Sequence, residues 1–352
     1  MFFKARQLLI GATIACSATL ATFPASGEPA ADAGVNSPGK RSYVPVPEHA
    51  RGPAMPAKGY LLDDLGGGVY GFRSERENSM FMVTRTGVVV VDAPPEDRGG
   101  MDVMKAIREV TQLPITHFIY SHPHSDHVGG AVLFQHANRN GSSPIYIAHE
   151  LAAQRIRAAA DPRRPIPQVT FSGKRYVLET GGQTLYLDYH GDLHSAGDLF
   201  IYAPRQKVLM LTDVLSPRWA PYFKLGHTPN VPLSMNVAKL ILAYDFRTFV
   251  GGHVGWFGTR DDIETIDRYL ADLDRVCKEV YATYKVDFSA VEPANAWARS
   301  QTSYETRARV AAERMPKHWL TELGGADVFL FDNAHSLIFS LFTDYSPASA
   351  RP

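Results

Sequence analysis

The chain has 352 residues, 45% of them hydrophobic, and its 36 Lys and Arg are balanced by 36 Asp and Glu. That length suits one large domain or two ordinary ones, with enough apolar residues for a proper core. The even charge balance, with no basic stripe or charge block, excludes a nucleic-acid partner.

Residues 1–27 have the form of a secretory signal peptide. Lys4 and Arg6 precede a small, apolar run over residues 8–23, and Ala25-Ser26-Gly27 offers a cleavage region. The run is short for a membrane span and is interrupted by Ser and Thr, which disfavours the alternative of an N-terminal anchor. Cys16 raises a lipoprotein site, but Thr13 rather than Leu stands three residues before it. The expected location is therefore periplasmic or secreted, with no stable membrane span after cleavage. Once Cys16 leaves, Cys277 is the remaining thiol, so no intrachain disulfide holds the exported protein. Its helical surroundings make Cys277 a packing residue.

Residues 28–58, rich in Pro, Ala, Gly and Ser, read as a flexible or extended leader. Gly66-Gly67-Gly68 opens a run of short strands at residues 69–73, 80–84 and 88–92, with a hairpin turn at Thr86-Gly87. Met101, Met104, Ile107 and Val110 recur at helical spacing, which predicts a helix over 101–111 stopped by Pro114. A strand over 115–120, a polar loop, a helix over 129–137 and a strand over 144–148 follow. This alternation is α/β in character. A helix over 150–160 ends at Asp161-Pro162. Strands are expected at 168–171, 175–178, 183–189, 198–202 and 207–212, then an irregular Pro-rich stretch over 214–232 and a helix over 235–244. A further strand runs into Gly251-Gly252-His253. Thr259-Arg260-Asp261-Asp262 has capping-box form and starts a long helix ending at about residue 284. Residues 290–345 read as mostly helical with a break at Gly324-Gly325, and the very apolar stretch 328–342 packs back on the domain.

The chemistry concentrates in residues 121–130. His122, His124, Asp126 and His127 stand there at H-x-H-x-D-H spacing, on a loop after a strand, where α/β folds place their sites. A solvated loop has no need of four such ligands. Three more segments bring His194, Asp213 and His253 to strand ends, each near glycine or another turn-former. Imidazole and carboxylate in this number suit two divalent metal ions, zinc foremost, with iron or manganese as alternatives. His122 and His124 project from one side of an extended segment and share a metal with His194. Asp126 and His127, on the turn beyond, share the second metal with His253, and Asp213 bridges the pair. His190 competes with His194 for the third imidazole. His117 reads as an ordinary strand histidine and His149 as a helix-start or loop residue.

This combination resembles the metallo-β-lactamase superfamily over residues 59–285. The resemblance implies a four-layer αββα sandwich with the dinuclear site on one edge. Residues 286–352 lie beyond the common core, as a helical C-terminal extension that caps the pocket or forms a homodimer surface. The implied activity is that of a metal-dependent hydrolase. A hydroxide bridging the metals would attack the carbonyl of a small ester, lactone or amide substrate, and Asp126 would orient it or shuttle a proton. Tyr222, on the expected site edge with His227, is a candidate catalytic donor to the oxyanion, with a packed aromatic as the alternative. Trp219, Phe223 and Trp256 are candidates for an apolar pocket wall.

Two rival activities share the fold. A signal peptide fits a β-lactamase, but the H-x-H-x-D-H subclass generally lacks a bridging aspartate, and Asp213 makes the site more similar to glyoxalase II or to lactonase-type members. The lactonases carry a tyrosine shortly after that aspartate, where this chain has Ser216. A sulfur-oxidising dioxygenase would hold iron in a similar ligand set. A lactone or ester is favoured over a β-lactam.

Overall fold

The computed structural model describes residues 43–345. The expected signal peptide, its cleavage region and Cys16 lie outside the described residues. Among the described residues, no helix is long and apolar enough to cross a membrane.

Two β-sheets lie at the centre. The first has seven strands in sequence order: β1 (Leu61–Gly66), β2 (Val69–Arg73), β3 (Asn78–Val83), β4 (Val88–Val91), β5 (Ile115–Ile119), β6 (Ile145–His149) and β7 (Val169–Phe171). Strands β1 to β4 form an antiparallel meander, and β4 to β7 run parallel. The second sheet, in the order β12-β11-β10-β9-β8, contains β8 (Arg175–Thr180), β9 (Gln183–Asp188), β10 (Phe200–Ala203), β11 (Val208–Met210) and β12 (Thr248–Val250). Its β11–β12 pair is parallel and the others are antiparallel.

Alternation along each strand divides the core into three layers. Val89, Val91 and Ile119 face the space between the sheets, where they meet Leu187, Ile201, Met210 and Val250. Their neighbours Val88, Val90, Phe118 and Tyr120 point outward, under helices α1 (Gly100–Val110) and α2 (Glu150–Ala159). On the far face of the second sheet, Phe200, Leu209 and Phe249 pack under α3 (Arg260–Thr283), α4 (Ala296–Arg314) and α5 (Ala326–Thr343). The result is an αββα sandwich with C-terminal helices built into its outer layer.

Several boundaries differ from the sequence reading. Leu61–Gly66 is an additional strand, because the polar Asp63-Asp64 pair hid its pairing with β2. The helix expected from Gly129 is instead a turn of helix at Ser125–Val128 and a 3₁₀ turn at Ala131–Phe134. Gly130 lies so close to the Pro94 carbonyl that a Cβ would sit 2.1 Å from it, which fixes the chain against β4 at that point. The capping box forms as read, with Thr259 and Asp262 exchanging side-chain and backbone bonds. Cys277 is fully buried, and burial pushes its thiol well above the usual range, as suits a packing residue.

The described part of the leader is tied to the domain. Val44 N–H donates to Asp327 of α5, His49 bonds the Glu322 carbonyl, and Trp219 Nε1 donates to the carbonyl of buried Ala50. These bonds tie residues 44–50 to the C-terminal helices and to the loop that carries Trp219.

Candidate metal centre

The C-terminal ends of β5, β11 and β12 converge at one edge of the sandwich. After β5 the chain turns into Ser125–Val128 and delivers His122, His124, Asp126 and His127. After β11 it delivers Asp213, after β12 His253, and the loop between β9 and β10 supplies His194. These seven side chains form two groups that share Asp213: His122, His124 and His194 with Asp213, and Asp126, His127 and His253 with Asp213. In each group the potential ligand atoms lie within 4.8 Å of one another.

Asp213 divides its two oxygens between the groups. Its Oδ2 is 3.5 Å from both His122 Nε2 and His194 Nε2. Its Oδ1 is 3.0 Å from His127 Nε2 and 3.3 Å from His253 Nε2. Asp126 Oδ2 approaches His253 Nε2 at 3.6 Å and His127 Nε2 at 3.8 Å. The Asp213 side chain is 6% exposed and that of Asp126 is 37% exposed, so the shared carboxylate is interior and the other reaches solvent.

Backbone carbonyls orient two of the imidazoles. His194 Nδ1 donates to the Gly226 carbonyl at 2.6 Å, and His253 Nδ1 donates to the Arg76 carbonyl at 3.0 Å. A carbonyl accepts only, so in the neutral rings the proton sits on Nδ1 and Nε2 keeps its lone pair. Those lone pairs point at other nitrogens: His194 Nε2 is 2.9 Å from His124 Nδ1, and His253 Nε2 is 2.9 Å from His127 Nε2. His122 Nε2 and Asp213 Oδ1 are buried without a well-aligned hydrogen bond, although His127 Nε2 stands 3.0 Å from that oxygen. Converging lone pairs and poorly bonded buried acceptors are costly unless a cation satisfies them. The donor set therefore fits divalent metal ions, and its imidazole and carboxylate chemistry suits zinc or iron.

The carboxylates favour positive charge at this centre, whether carried by protons on the rings or by cations in their place. Burial pushes the Asp213 carboxyl up, but His127, His122 and His253 outweigh burial and hold it well below the usual range. Burial likewise disfavours charge on His253, yet Asp126 and Asp213 raise it to about 11. His124 falls to about 4, through burial first and then its neighbours His122 and His194.

Two carboxylates absent from the sequence-derived set hold this edge together. Asp92, fully buried at the end of β4, accepts Ser121 N–H at 2.9 Å and the Thr212 hydroxyl at 3.3 Å, joining the segments before His122 and Asp213. Asp198 accepts the backbone N–H groups of Leu193 and His194 at 2.9 and 2.7 Å and so shapes the His194 loop. The signal for Asp92 was its place at a strand end, like the other site segments. Glycine has one strict role here: a Cβ on Gly252 would lie 2.0 Å from Asp213 Oδ1.

The competing residues sit elsewhere. His190 bonds the Tyr244 hydroxyl at 2.8 Å and packs on Phe200, away from both groups. His149 caps α2 by accepting Leu151 N–H, and His117 contacts Thr116 on β5. Tyr222 is 61% exposed with its ring edge-on to Phe329, 5.0 Å away. Trp256 stacks on Phe257, and Trp219 packs against Gly324.

An open cavity of about 980 Å³ adjoins His124 and His194. Lys224, His227 and Arg155 line it, as do His335 and Phe339 from α5, so the C-terminal extension forms one of its walls. Tyr222, Trp219, Phe223 and Trp256 do not line it.

The family model of the metallo-beta-lactamase superfamily matches residues 75–253, about half of the chain and all seven candidate ligands. The chain belongs to the metallo-β-lactamase superfamily. Among curated relatives of this superfamily member, metallo-beta-lactamase IND-1 of Chryseobacterium indologenes is 27% identical over 195 residues, 54% of this chain and 77% of that one. The 2,4-dinitroanisole O-demethylase subunit alpha of a Nocardioides species is 29% identical over 197 residues, 54% of this chain and 56% of that one. A solved metallo-beta-lactamase from Pontibacter korlensis superposes with a TM-score of 0.50 at 21% identity, covering 60% of this chain and 99% of that one. The family match ends at residue 253, before the C-terminal helices begin.

Proposed function

We propose that this superfamily member is an exported, dinuclear metal-dependent hydrolase acting on the carbonyl of a small ester, lactone or amide. The observation that carries the reading is the division of Asp213 between two imidazole groups, one oxygen to each. His122, His124 and His194 would hold one divalent ion and Asp126, His127 and His253 the other, with zinc best suited to the donors. Such ions supply Lewis acidity at a carbonyl oxygen and make water acidic enough to attack near neutral pH.

The chain's own groups do the rest. Asp126 is the more exposed carboxylate of the centre, placed to orient the attacking water and receive its proton. Lys224 and His227 line the adjoining cavity and can engage polar groups of the substrate. Tyr222, the oxyanion donor considered from the sequence, is exposed with its ring against Phe329 and outside the cavity lining, and has no catalytic step in this reading.

The second reading is β-lactam hydrolysis, supported by similarity to IND-1, of which this chain spans 77%. A panel of lactones, esters, β-lactams, thioesters and phosphoesters, run with zinc-loaded and iron-loaded protein, tests both. Lactone or ester turnover that disappears on chelation and returns with zinc is the expected result. Undiminished turnover by metal-free protein overturns the mechanism, and oxygen uptake by the iron form replaces hydrolysis with oxidation. Periplasmic export is tested by fractionating cells that express the full chain.

A further inference from the structure

We infer that Asn333, on the C-terminal helix α5, is a positioning residue for the His122, His124 and His194 half of the metal centre. It acts through the turn of residues 224–227. The inference rests on the reading of His194 as a metal ligand.

The backbone of that turn is left-handed at four successive residues: Lys224 at φ 53°, Leu225 at 57°, Gly226 at 76° and His227 at 57°. Only Gly226 adopts this conformation readily; the other three need the surrounding structure to impose it. What the unusual winding achieves is the placement of the Gly226 carbonyl, which accepts from His194 Nδ1 at 2.6 Å. That bond sets the ring's orientation and leaves Nε2 facing His124 and Asp213.

Asn333 supplies the constraint. It is 0% exposed, in a helix stretch whose other buried members include Leu330, Ala334, Leu337 and Ile338. A buried amide in such a helix is costly unless its polar atoms are bonded. Two such bonds hold the loop: Oδ1 accepts Leu225 N–H at 2.7 Å inside the turn, and Nδ2 donates to the Pro221 carbonyl at 2.9 Å just before it. One side chain thus grips the turn before and inside its left-handed part, and the next residue offers its carbonyl to His194. The C-terminal extension is in this way part of the metal centre's support.

Competition between a chelator and zinc-loaded full-length protein tests this, read as the number and affinity of bound zinc ions. Asn333→Ala should release one of two ions at a roughly 10–100-fold lower chelator concentration while holding the other as the unchanged protein does. Leu337→Ala, a cavity in the same helix, should lower the melting temperature and leave zinc affinity unchanged, which separates positioning from general destabilisation. His194→Ala should also lose one ion. Wild-type zinc affinity in Asn333→Ala, with one ion lost in His194→Ala, overturns the role of Asn333 alone. Both ions retained in His194→Ala overturns the ligand reading and the inference with it. If Asn333→Ala does not fold, Asn333→Asp takes its place, since it keeps the acceptor for Leu225 and loses the donor to Pro221. A smaller shift in the same ion is then expected, and unchanged affinity contradicts the inference.

Discussion

Asp213 is the residue that the two halves of the candidate site share. Its two oxygens serve different imidazole groups, so removing it should disturb both metal positions rather than one. Asp213→Ala is expected to abolish turnover and to reduce bound metal, whereas His122→Ala should weaken the His124 and His194 side first. Metal counting by elemental analysis on the two variants checks the difference. Gly252→Ala probes the same carboxylate indirectly. The added Cβ would meet Asp213 Oδ1 at 2.0 Å, so the carboxylate must move, and turnover should fall sharply with the fold retained by circular dichroism. Tyr222 stands apart from the candidate ligands. Loss of an oxyanion donor costs about 10²–10³ in kcat. The exposed ring resting on Phe329 leads us to expect an unchanged kcat in Tyr222→Phe, and a fall of that size would restore the catalytic role.

At the scale of elements, strand ends carried most of the legible information. H-x-H-x-D-H and the isolated His194, Asp213 and His253 each stand at or after the end of an apolar strand, and that apolar run is the legible mark. The competition between His190 and His194 could not be decided from spacing, because both lie in one loop region; a bond to Tyr244 takes His190 away. Less legible were the parts set by tertiary contact. Nothing in Lys224-Leu225 announces left-handed backbone, a conformation that costs about 1–2 kcal/mol per non-glycine residue and is imposed from a distant helix. Asn333 was hidden inside an apolar run that reads simply as packing. Helix α5 should therefore matter for stability through its buried apolar residues and for the site through the one buried amide among them, Asn333. Leu337→Ala is expected to cost about 2–5 kcal/mol, measured by denaturant unfolding, in line with other large-to-small core changes.

Over the whole molecule, the αββα sandwich gathers its chemistry where β5, β11 and β12 end on neighbouring sheets. Asp92 ties those two sheets together at that edge by bonding Ser121 and Thr212. Because the ligands come from both sheets, metal binding should stabilise the folded chain as a unit, raising Tm with metal concentration. The C-terminal helices share one apolar cluster with α3 and wall the cavity, so removing residues 286–352 would expose that cluster and should yield insoluble protein. The most direct test of the account is a titration of zinc into metal-free protein, with bound ions counted per chain and turnover followed alongside. Two ions per chain in the unchanged protein, and the loss of both tight binding and turnover in Asp213→Ala, is the predicted result. Full turnover with one ion or none, or two tightly bound ions in Asp213→Ala, would contradict a dinuclear centre built on that carboxylate.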